Sequence, residues 1–338
     1  MDFKKFLPIA LLAIFAVSSC KKNNNPTPEK AVDVYISGNT TALNGNSVAT
    51  YWKNGVPIKL VDSLTNSQTD AITVQGNDVY VVGDTSTPNT LYGVATYWKN
   101  GVATKLTDGS SFSRAYAMAV QGNDIFVAGY TVLNNISKAT YWKNGIATSL
   151  SDNSLGSIAT AIVVSGSDVY VSGYAMGTLG YSVAIYWKNG VPTYLNTSSS
   201  DAVALVVDGN NVYTGGYIEQ TAAAWKNGQI AGVQVNTLEG PSGIISAAVD
   251  GSDVYFTGFT HLANGSSEAI YWKNGVPTKL SNDGSISHSS EIAINGSDVY
   301  VSGYFTSNGI TIGTYWKNGV AVKLGLNTNA TGIAVVAH

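Results

Sequence analysis

Arginine, cysteine and histidine are almost absent from this 338-residue sequence, and charged residues of all kinds make up only 12% of it. Arg114 is the single arginine and the formal net charge is −3, whereas nucleic-acid-binding surfaces carry basic patches rich in arginine. The composition therefore argues against nucleic acid as a partner. Cys20 is the only cysteine, so the chain cannot form an internal disulfide. The three histidines, His261, His288 and His338, show no metal-ligand spacing, and no metal site or cofactor is expected.

The first 20 residues have the pattern of a targeting signal. Lys4 and Lys5 precede an apolar stretch at residues 6–17, which is shorter than the roughly 20 residues that a membrane span needs. The stretch ends in residues 17–20 (VSSC), which resemble the lipobox of bacterial lipoproteins, where the cysteine is diacylated and the signal is cut before it. The resemblance implies a signal peptide at residues 1–19, a lipid anchor at Cys20 and a polar tether at residues 20–31. Because Lys21 rather than aspartate follows the cysteine, the outer membrane is the expected location. The alternative is an ordinary secretory signal followed by an incidental cysteine.

The tetrapeptide Trp-Lys-Asn-Gly occurs seven times and contains every tryptophan of the chain, at positions 52, 98, 142, 187, 225, 272 and 316. A repeat in the forties is typical of a four-stranded propeller blade. In the fourth repeat, the four extended runs are residues 160–164, 168–173, 183–188 and 191–195. Asn-Gly between the last two runs predicts a hairpin with a type I′ turn, which requires a positive φ at both positions.

The two ends of the repeat region complement each other. Residues 33–38 form a second strand with no first strand before it, and residues 331–338 form a first strand with no second strand after it. Together they complete one blade, which leaves no open sheet edge between the first and last blades. The sequence therefore predicts an all-β fold over residues 32–338. This fold is a seven-bladed β-propeller with four antiparallel strands per blade, closed by the C-terminal strand.

The repeats resemble two known groups. The pattern Val-x-Gly-x-x-Tyr-Val-x-Gly, followed by an aromatic pair, resembles Kelch-type repeats. The pattern Ala-x-Tyr-Trp-Lys-Asn-Gly-Val-x-x-x-Leu is similar to the HAF group of extracellular repeats. Most units depart from the Kelch pattern because they have one glycine rather than two, and because tyrosine and tryptophan are adjacent. The resemblance covers residues 33–338 and implies an architecture rather than a function.

The predicted topology gives the propeller two different faces. The hairpin face carries the turns between the first and second strands and between the third and fourth strands; the loop face carries the other connections. The hairpin face is expected to hold a ring of lysines: Lys53, Lys99, Lys143, Lys188, Lys226, Lys273 and Lys317. Beside them lie Asp33, Asp78, Asp124, Asp168, Asn211, Asp253 and Asp298. We interpret these residues as turn-forming and cross-strand pairs. The alternative is that the lysines face lipid headgroups, because the tether joins the propeller at this face.

Function is expected on the loop face, where the repeats differ. Polar residues break the run of small residues around the channel mouth at Asp70, Arg114, Tyr116, Asp201, His288 and Glu291, and His261 lies in a nearby loop. We predict that these seven residues form a binding site for a protein or a glycan. The alternative is that they are solvated loop residues with no ligand.

Two functions remain open. The first is a monomeric, membrane-anchored binding or scaffold lipoprotein that recognises its partner through the loop face. The second is a polysaccharide hydrolase or lyase at the channel mouth, in which Glu291 pairs with Asp70 or Asp201. The sequence contains no recognisable catalytic constellation, and a single arginine cannot supply the arginine triad of sialidase-type propellers.

Overall fold

The computed structural model describes residues 31–86, 93–151, 155–196, 198–231, 240–280 and 286–338. Cys20, the predicted signal peptide and all but the last residue of the predicted tether lie outside these residues. One compact unit, Val32–His338, contains every described strand. No helix within the described residues is long and apolar enough to cross a membrane.

In the described part of the chain, twenty-eight strands form seven antiparallel sheets of four strands, which confirms the predicted seven-bladed β-propeller. Blades 1 to 7 are numbered by the order of their tryptophans. The innermost strands are β4 (Asn66–Gln75), β8 (Ser113–Gln121), β12 (Ser157–Ser165), β16 (Ser200–Asp208), β20 (Ser242–Asp250), β24 (Ile286–Asn295) and β28 (Thr328–Ala337). The second strands are β1 (Val32–Thr41), β5 (Asp78–Ser86), β9 (Asp124–Leu133), β13 (Asp168–Met176), β17 (Asn211–Ile218), β21 (Asp253–His261) and β25 (Asp298–Ser307).

The two outer layers complete each blade. The third strands are β2 (Ser47–Lys53), β6 (Val94–Lys99), β10 (Ile136–Lys143), β14 (Ser182–Lys188), β18 (Thr221–Lys226), β22 (Ser267–Lys273) and β26 (Ile310–Lys317). The outermost strands are β3 (Val56–Lys59), β7 (Val102–Lys105), β11 (Ile146–Ser149), β15 (Val191–Tyr194), β19 (Gln229–Ile230), β23 (Val276–Lys279) and β27 (Val320–Leu326). The predicted closure is confirmed, because β28 pairs with β1 from Val32–Ala337 to Thr40–Thr328.

The hairpin face is held together by a network that each repeat encodes. In blade 4, Asn189 and Gly190 have φ values of 51° and 80°, as a type I′ turn requires. The Asn189 side chain accepts the Val169 N–H at 2.8 Å and donates to Asp168 at 2.8 Å. Lys188 Nζ lies 2.7 Å from the same carboxylate. Lysine–aspartate pairs of this kind, at 2.7–2.8 Å, occur in six blades, which supports the interpretation as turn-forming and cross-strand pairs.

Each tryptophan packs against the blade that precedes it. Trp187 of blade 4 shares a buried cluster with Ala139 and Leu150 of blade 3, and Trp98 of blade 2 does the same with Ala49 of blade 1. All seven tryptophans are at most 2% exposed. A small residue in each third strand, alanine in blades 1 to 6 and Gly313 in blade 7, leaves room for the next blade's indole ring. Burying a large aromatic side chain contributes about 1.5–3 kcal/mol, so this contact joins the blades strongly.

A buried hydroxyl also joins each pair of neighbouring blades. Because the outermost strands are short, the N–H of Ala139 in β10 has no strand partner, and it donates to Ser157 Oγ of the next blade at 3.0 Å. Equivalent bonds of 2.9–3.0 Å occur at all seven blade junctions. At the junction of blades 7 and 1, Thr328 replaces serine and Gly313 replaces alanine. Threonine is larger than serine and glycine is smaller than alanine, so the two changes compensate each other in size.

We predict that Ser157→Ala destabilises the propeller by about 1–3 kcal/mol, because it leaves the buried Ala139 N–H without an acceptor. The matched control is Ser165→Ala at the other end of β12, which removes no side-chain hydrogen bond from the described structure and should change stability by less than about 0.5 kcal/mol. Chemical denaturation of both variants measures the difference. Equal stability of the two would show that the hydroxyl does not hold the blades together.

Candidate functional site at the channel mouth

A β-bulge interrupts the innermost strand of every blade at the same height. In β12, Ala159 pairs with Gly173 and Ala161 pairs with Ser172, so Thr160 between them has no partner in the ladder. A bulge turns the extra residue out of the regular alternation and can redirect its side chain. The bulged positions, which all line the central channel, are Asp70, Tyr116, Thr160, Val203, Ile245, Ser290 and Thr331. In blade 7, Glu291 next to Ser290 is also unpaired in the ladder.

The bulge explains why a glycine recurs in every second strand. A Cβ atom on Gly173 would overlap the carbonyl oxygen of Ile158, just before the bulge. The equivalent glycines meet the same obstacle in all seven blades: Gly38, Gly83, Gly129, Gly173, Gly216, Gly258 and Gly303. The repeated glycine therefore permits the bulge, and the bulge directs one side chain per blade toward the channel.

The channel has a cavity volume of about 700 Å³ and is lined by the inner strands of all seven blades. Alanine, valine, isoleucine and threonine make up most of the lining. The titratable side chains among the lining residues are Asp70, Tyr116, His288, Glu291 and Tyr304. The described residues contain no group of three or more histidine, cysteine, aspartate or glutamate side chains that could hold a metal ion.

Arg114 contacts two other predicted residues, which form the first group at the mouth. Its Nη2 atom lies 2.9 Å from Asp70 Oδ1, and its Nε atom lies 3.3 Å from Asp84 Oδ1. The guanidinium carbon is 4.9 Å from the ring centre of Tyr116. Burial raises the pKa of Asp70 to about 6, although Arg114 opposes the shift. Two carboxylates thus surround one guanidinium, and Asp84 is a member of the group that sequence reasoning missed.

Asp201 forms a second, separate group in blade 5. Its Oδ2 atom accepts a hydrogen bond from the Tyr217 hydroxyl on the neighbouring strand. Its Oδ1 atom is buried and has no hydrogen-bond partner among the described residues. Burial raises the pKa of Tyr217, and the hydrogen bond to Asp201 adds to the shift. The phenol therefore stays protonated and leaves one carboxylate oxygen available as an acceptor.

The two histidines belong to a third group, in blades 6 and 7. His261 is the last residue of β21 rather than a loop residue, and its ring centre lies 5.3 Å from that of Phe259. His288 lies between Phe259 at 6.4 Å and Tyr304 at 4.9 Å, and its Nε2 atom is 2.9 Å from Ser267 Oγ. Burial lowers the pKa of His288, with a smaller effect from His261, so it is neutral near pH 7.

Glu291 stands apart from the other predicted residues. Its Oε2 atom accepts the Ile333 N–H of blade 1 at 2.7 Å, and burial raises its pKa to about 8. It occupies a strand position where blade 4 has Ala161. Among the described residues, no hydrogen bond or ion pair links Glu291 to Asp70 or Asp201. The three carboxyl groups that the sequence suggested as possible pairs therefore have three different partners.

Sequence reasoning missed one register position that completes the mouth. The residue after each second-strand glycine is partly exposed in every blade, and in five successive blades it is aromatic: Tyr130, Tyr174, Tyr217, Phe259 and Tyr304. Blades 1 and 2 have Asn39 and Asp84 instead. Aligning the seven repeats on their glycines would have shown this column. The sequence does not say which way these strand residues point, so it gave no reason to place them at the mouth.

Comparison with known proteins supports the fold. No family model matches the sequence, and no curated protein matches it. The chain is similar to an acylaminoacyl peptidase from Pyrococcus horikoshii, with a TM-score of 0.53 and 14% identity over 88% of this chain and 51% of that one. It spans about half the length of that peptidase. It is also similar to the β-propeller domain of the Trilobed protease from Pyrococcus furiosus, with a TM-score of 0.50 and 12% identity over 88% and 95% of the two chains. That domain has an open velcro topology, whereas β28 pairs with β1 here. At these identities the likeness shows the seven-bladed β-propeller fold alone and does not indicate an activity.

We predict that Glu291→Gln makes the stability of the protein less sensitive to alkaline pH. The pKa of Glu291 is about 8 in the folded state but about 4.3 in an unfolded chain, so the folded state retains a proton that the unfolded state loses. Its stabilising contribution is complete below about pH 4.3 and is lost as the pH rises toward 8. Glutamine cannot ionise, yet its carbonyl oxygen can still accept the Ile333 N–H. Denaturation at pH 5 and pH 8 should show a smaller loss for the variant. Identical losses would contradict the burial of a protonated carboxyl.

Proposed function

We propose that this chain is a lipid-anchored binding protein of the bacterial cell envelope that recognises its ligand at the channel mouth on the loop face. The observation that carries the proposal is the difference between the two faces. Hairpin-face lysines in six blades have aspartate partners. The mouth instead has partly exposed aromatic rings and a buried carboxylate oxygen, Asp201 Oδ1, that has no hydrogen-bond partner among the described residues.

The position of the first strand supports this orientation. β1 begins on the hairpin face, where Asp33 lies 2.8 Å from Lys53 and 3.1 Å from the C-terminal residue His338. A tether from a lipid on Cys20 would join the propeller at this face. In such an arrangement, the loop face is free to meet a ligand.

A polysaccharide hydrolase is the second candidate, and Glu291 is the observation in its favour. A carboxyl group with a pKa of about 8 is protonated at neutral pH, as a general acid must be. Its contact with the Ile333 N–H uses one oxygen and leaves the other for a substrate. Glu291→Gln separates the two functions, because a binding protein keeps its affinity whereas a hydrolase loses turnover.

We predict that a photo-cross-linking residue placed at Gln68 captures the ligand, whereas the same residue at Gln75 does not. Both glutamines are exposed and lie in β4, but Gln68 is at the mouth beside Arg114 and Gln75 is at the hairpin end. The full chain is irradiated in intact envelopes and its products are separated by size and composition. A product from Gln75 alone would overturn the loop-face assignment.

We predict that Cys20→Ser moves the protein from the membrane fraction to the soluble fraction, because the serine hydroxyl cannot replace the thiol as the lipid acceptor. Two or more acyl chains attach a protein stably to a membrane, and a protein without acyl chains lacks that anchor. Fractionation followed by detection of the propeller measures the effect, with Ser19→Ala as the neighbouring control. A variant that stays in the membrane fraction would argue against lipidation at this cysteine.

A further inference from the structure

Aromatic residues occur at the channel mouth in each of blades 3 to 7, and we term this set the aromatic belt. Its members are Tyr116, Tyr130, Tyr174, Tyr217, Phe259, His288 and Tyr304. All seven side chains are partly exposed. Five of them occupy the same register position in successive blades, so the ring symmetry places them in an arc.

Ring contacts occur near both ends of the belt. Tyr116 and Tyr130 stack with ring centres 6.0 Å apart. Burial raises the pKa of Tyr174, with smaller contributions from Asp201 and Tyr130. In blade 5, the Tyr217 hydroxyl donates to Asp201.

Gly243 connects the two halves of the belt. A Cβ atom there would lie 3.1 Å from Phe259 Cε1 and 3.7 Å from Tyr217 Cδ1, so both rings border this glycine. Phe259, His288 and Tyr304 then follow with ring centres 6.4 and 4.9 Å apart. A larger residue at position 243 would fill the gap between the rings.

The charge at the mouth argues against an anionic ligand. The one guanidinium, Arg114, has Asp70 and Asp84 as partners, and His288 is neutral near pH 7. Asp201 adds a further carboxyl group. Polyanions need cationic donors such as arginine clusters, and the mouth offers acceptors and phenol hydroxyl groups instead.

Cross-blade contacts occupy several main-chain groups of the inner strands that a peptide could otherwise bind by strand addition. The Ile333 N–H donates to Glu291, and the Ile292 N–H donates to Ser246 Oγ at 3.4 Å. Thr160 Oγ1 donates to the Ala202 carbonyl at 2.7 Å. Strand addition relies on free main-chain donors and acceptors, which these cross-blade contacts already use.

We propose that the aromatic belt binds a neutral carbohydrate chain, with sugar rings lying against the tyrosine and phenylalanine faces and a hydroxyl group donating to Asp201. An aromatic face is electron-rich, so it attracts the weakly positive C–H groups of a pyranose. The Oδ1 atom of Asp201 is buried and has no hydrogen-bond partner among the described residues, whereas that of Asp84 already lies 3.3 Å from Arg114 Nε. The cavity below the belt, about 700 Å³, has the size of a small-molecule site. This inference rests on the proposed function and names its ligand class.

Titration calorimetry of the full chain tests the proposal, with a detergent that has no sugar headgroup. The probes are cellohexaose, maltoheptaose, xylohexaose and mannohexaose, with polygalacturonate as the anionic comparison and decaproline as the peptide comparison. We expect at least one neutral oligosaccharide to bind. Tyr174→Ala should weaken that binding about tenfold, which corresponds to about 1.4 kcal/mol.

Two matched variants in the same blade separate the belt from general effects. Tyr174→Phe keeps the ring and should retain most of the affinity. Tyr194→Ala removes a 58% exposed tyrosine from the outermost strand and should bind as the unchanged protein does. Thermal unfolding of each variant confirms that the propeller is intact. Equal weakening by Tyr174→Ala and Tyr194→Ala would overturn the assignment.

The remaining outcomes distinguish this inference from the proposed function. Absence of binding to all four oligosaccharides at millimolar concentration overturns the carbohydrate proposal. Binding of decaproline or polygalacturonate that Tyr174→Ala abolishes also overturns it, but leaves the mouth as the binding surface. Capture of a protein by the cross-linker at Gln68 would likewise overturn the carbohydrate proposal and leave the mouth as the binding surface. Capture from Gln75 alone rejects the proposed function itself.

Discussion

The contact between each tryptophan and the small residue of the preceding blade is the interaction on which the whole ring depends. A four-stranded sheet of this size buries little by itself, and a blade becomes stable only when its neighbours cover both faces. Trp187 packs beside Ala139 of the preceding blade. The main-chain N–H of Ala139 has no acceptor on its own sheet, and Ser157 Oγ accepts it. Because the seven junctions repeat one arrangement, the ring also requires that the last blade meet the first. The pairing of β28 with β1 satisfies that requirement.

The second constraint is the bulge in each innermost strand, because it connects the scaffold to the site. Gly173 and its equivalents have no Cβ, so a carbonyl group can approach closely and the bulged residue is redirected toward the channel. The scaffold is indifferent to which side chain stands there: threonine, valine, isoleucine, serine, aspartate and tyrosine all occur. The bulge therefore gives the chain seven positions that can vary without disturbing the blades, and these positions line the channel.

Much of the fold could be predicted because its signals are local and repeated. Asn189 and Gly190 require a type I′ turn, and the spacing of the tryptophans gives the blade length. The candidate site was predicted less well. Asp70 and Arg114 were named without the knowledge that they form a pair, and Asp84 was missed. Tyr174 and Tyr217 were missed because alternation along a strand does not say which residues lie at an open mouth, where neighbouring blades diverge.

The amino-acid sequence by itself determined the number of blades, the turns of the hairpin face and the strand that closes the ring, since each depends on residues that are near in sequence or repeated identically. Only the tertiary structure decided which polar residues meet. Arg114 and Asp70 are 44 residues apart and belong to different blades, and Glu291 finds the Ile333 N–H across a blade junction. Such contacts depend on where the bulges place side chains around the channel, and strand alternation alone does not give that placement.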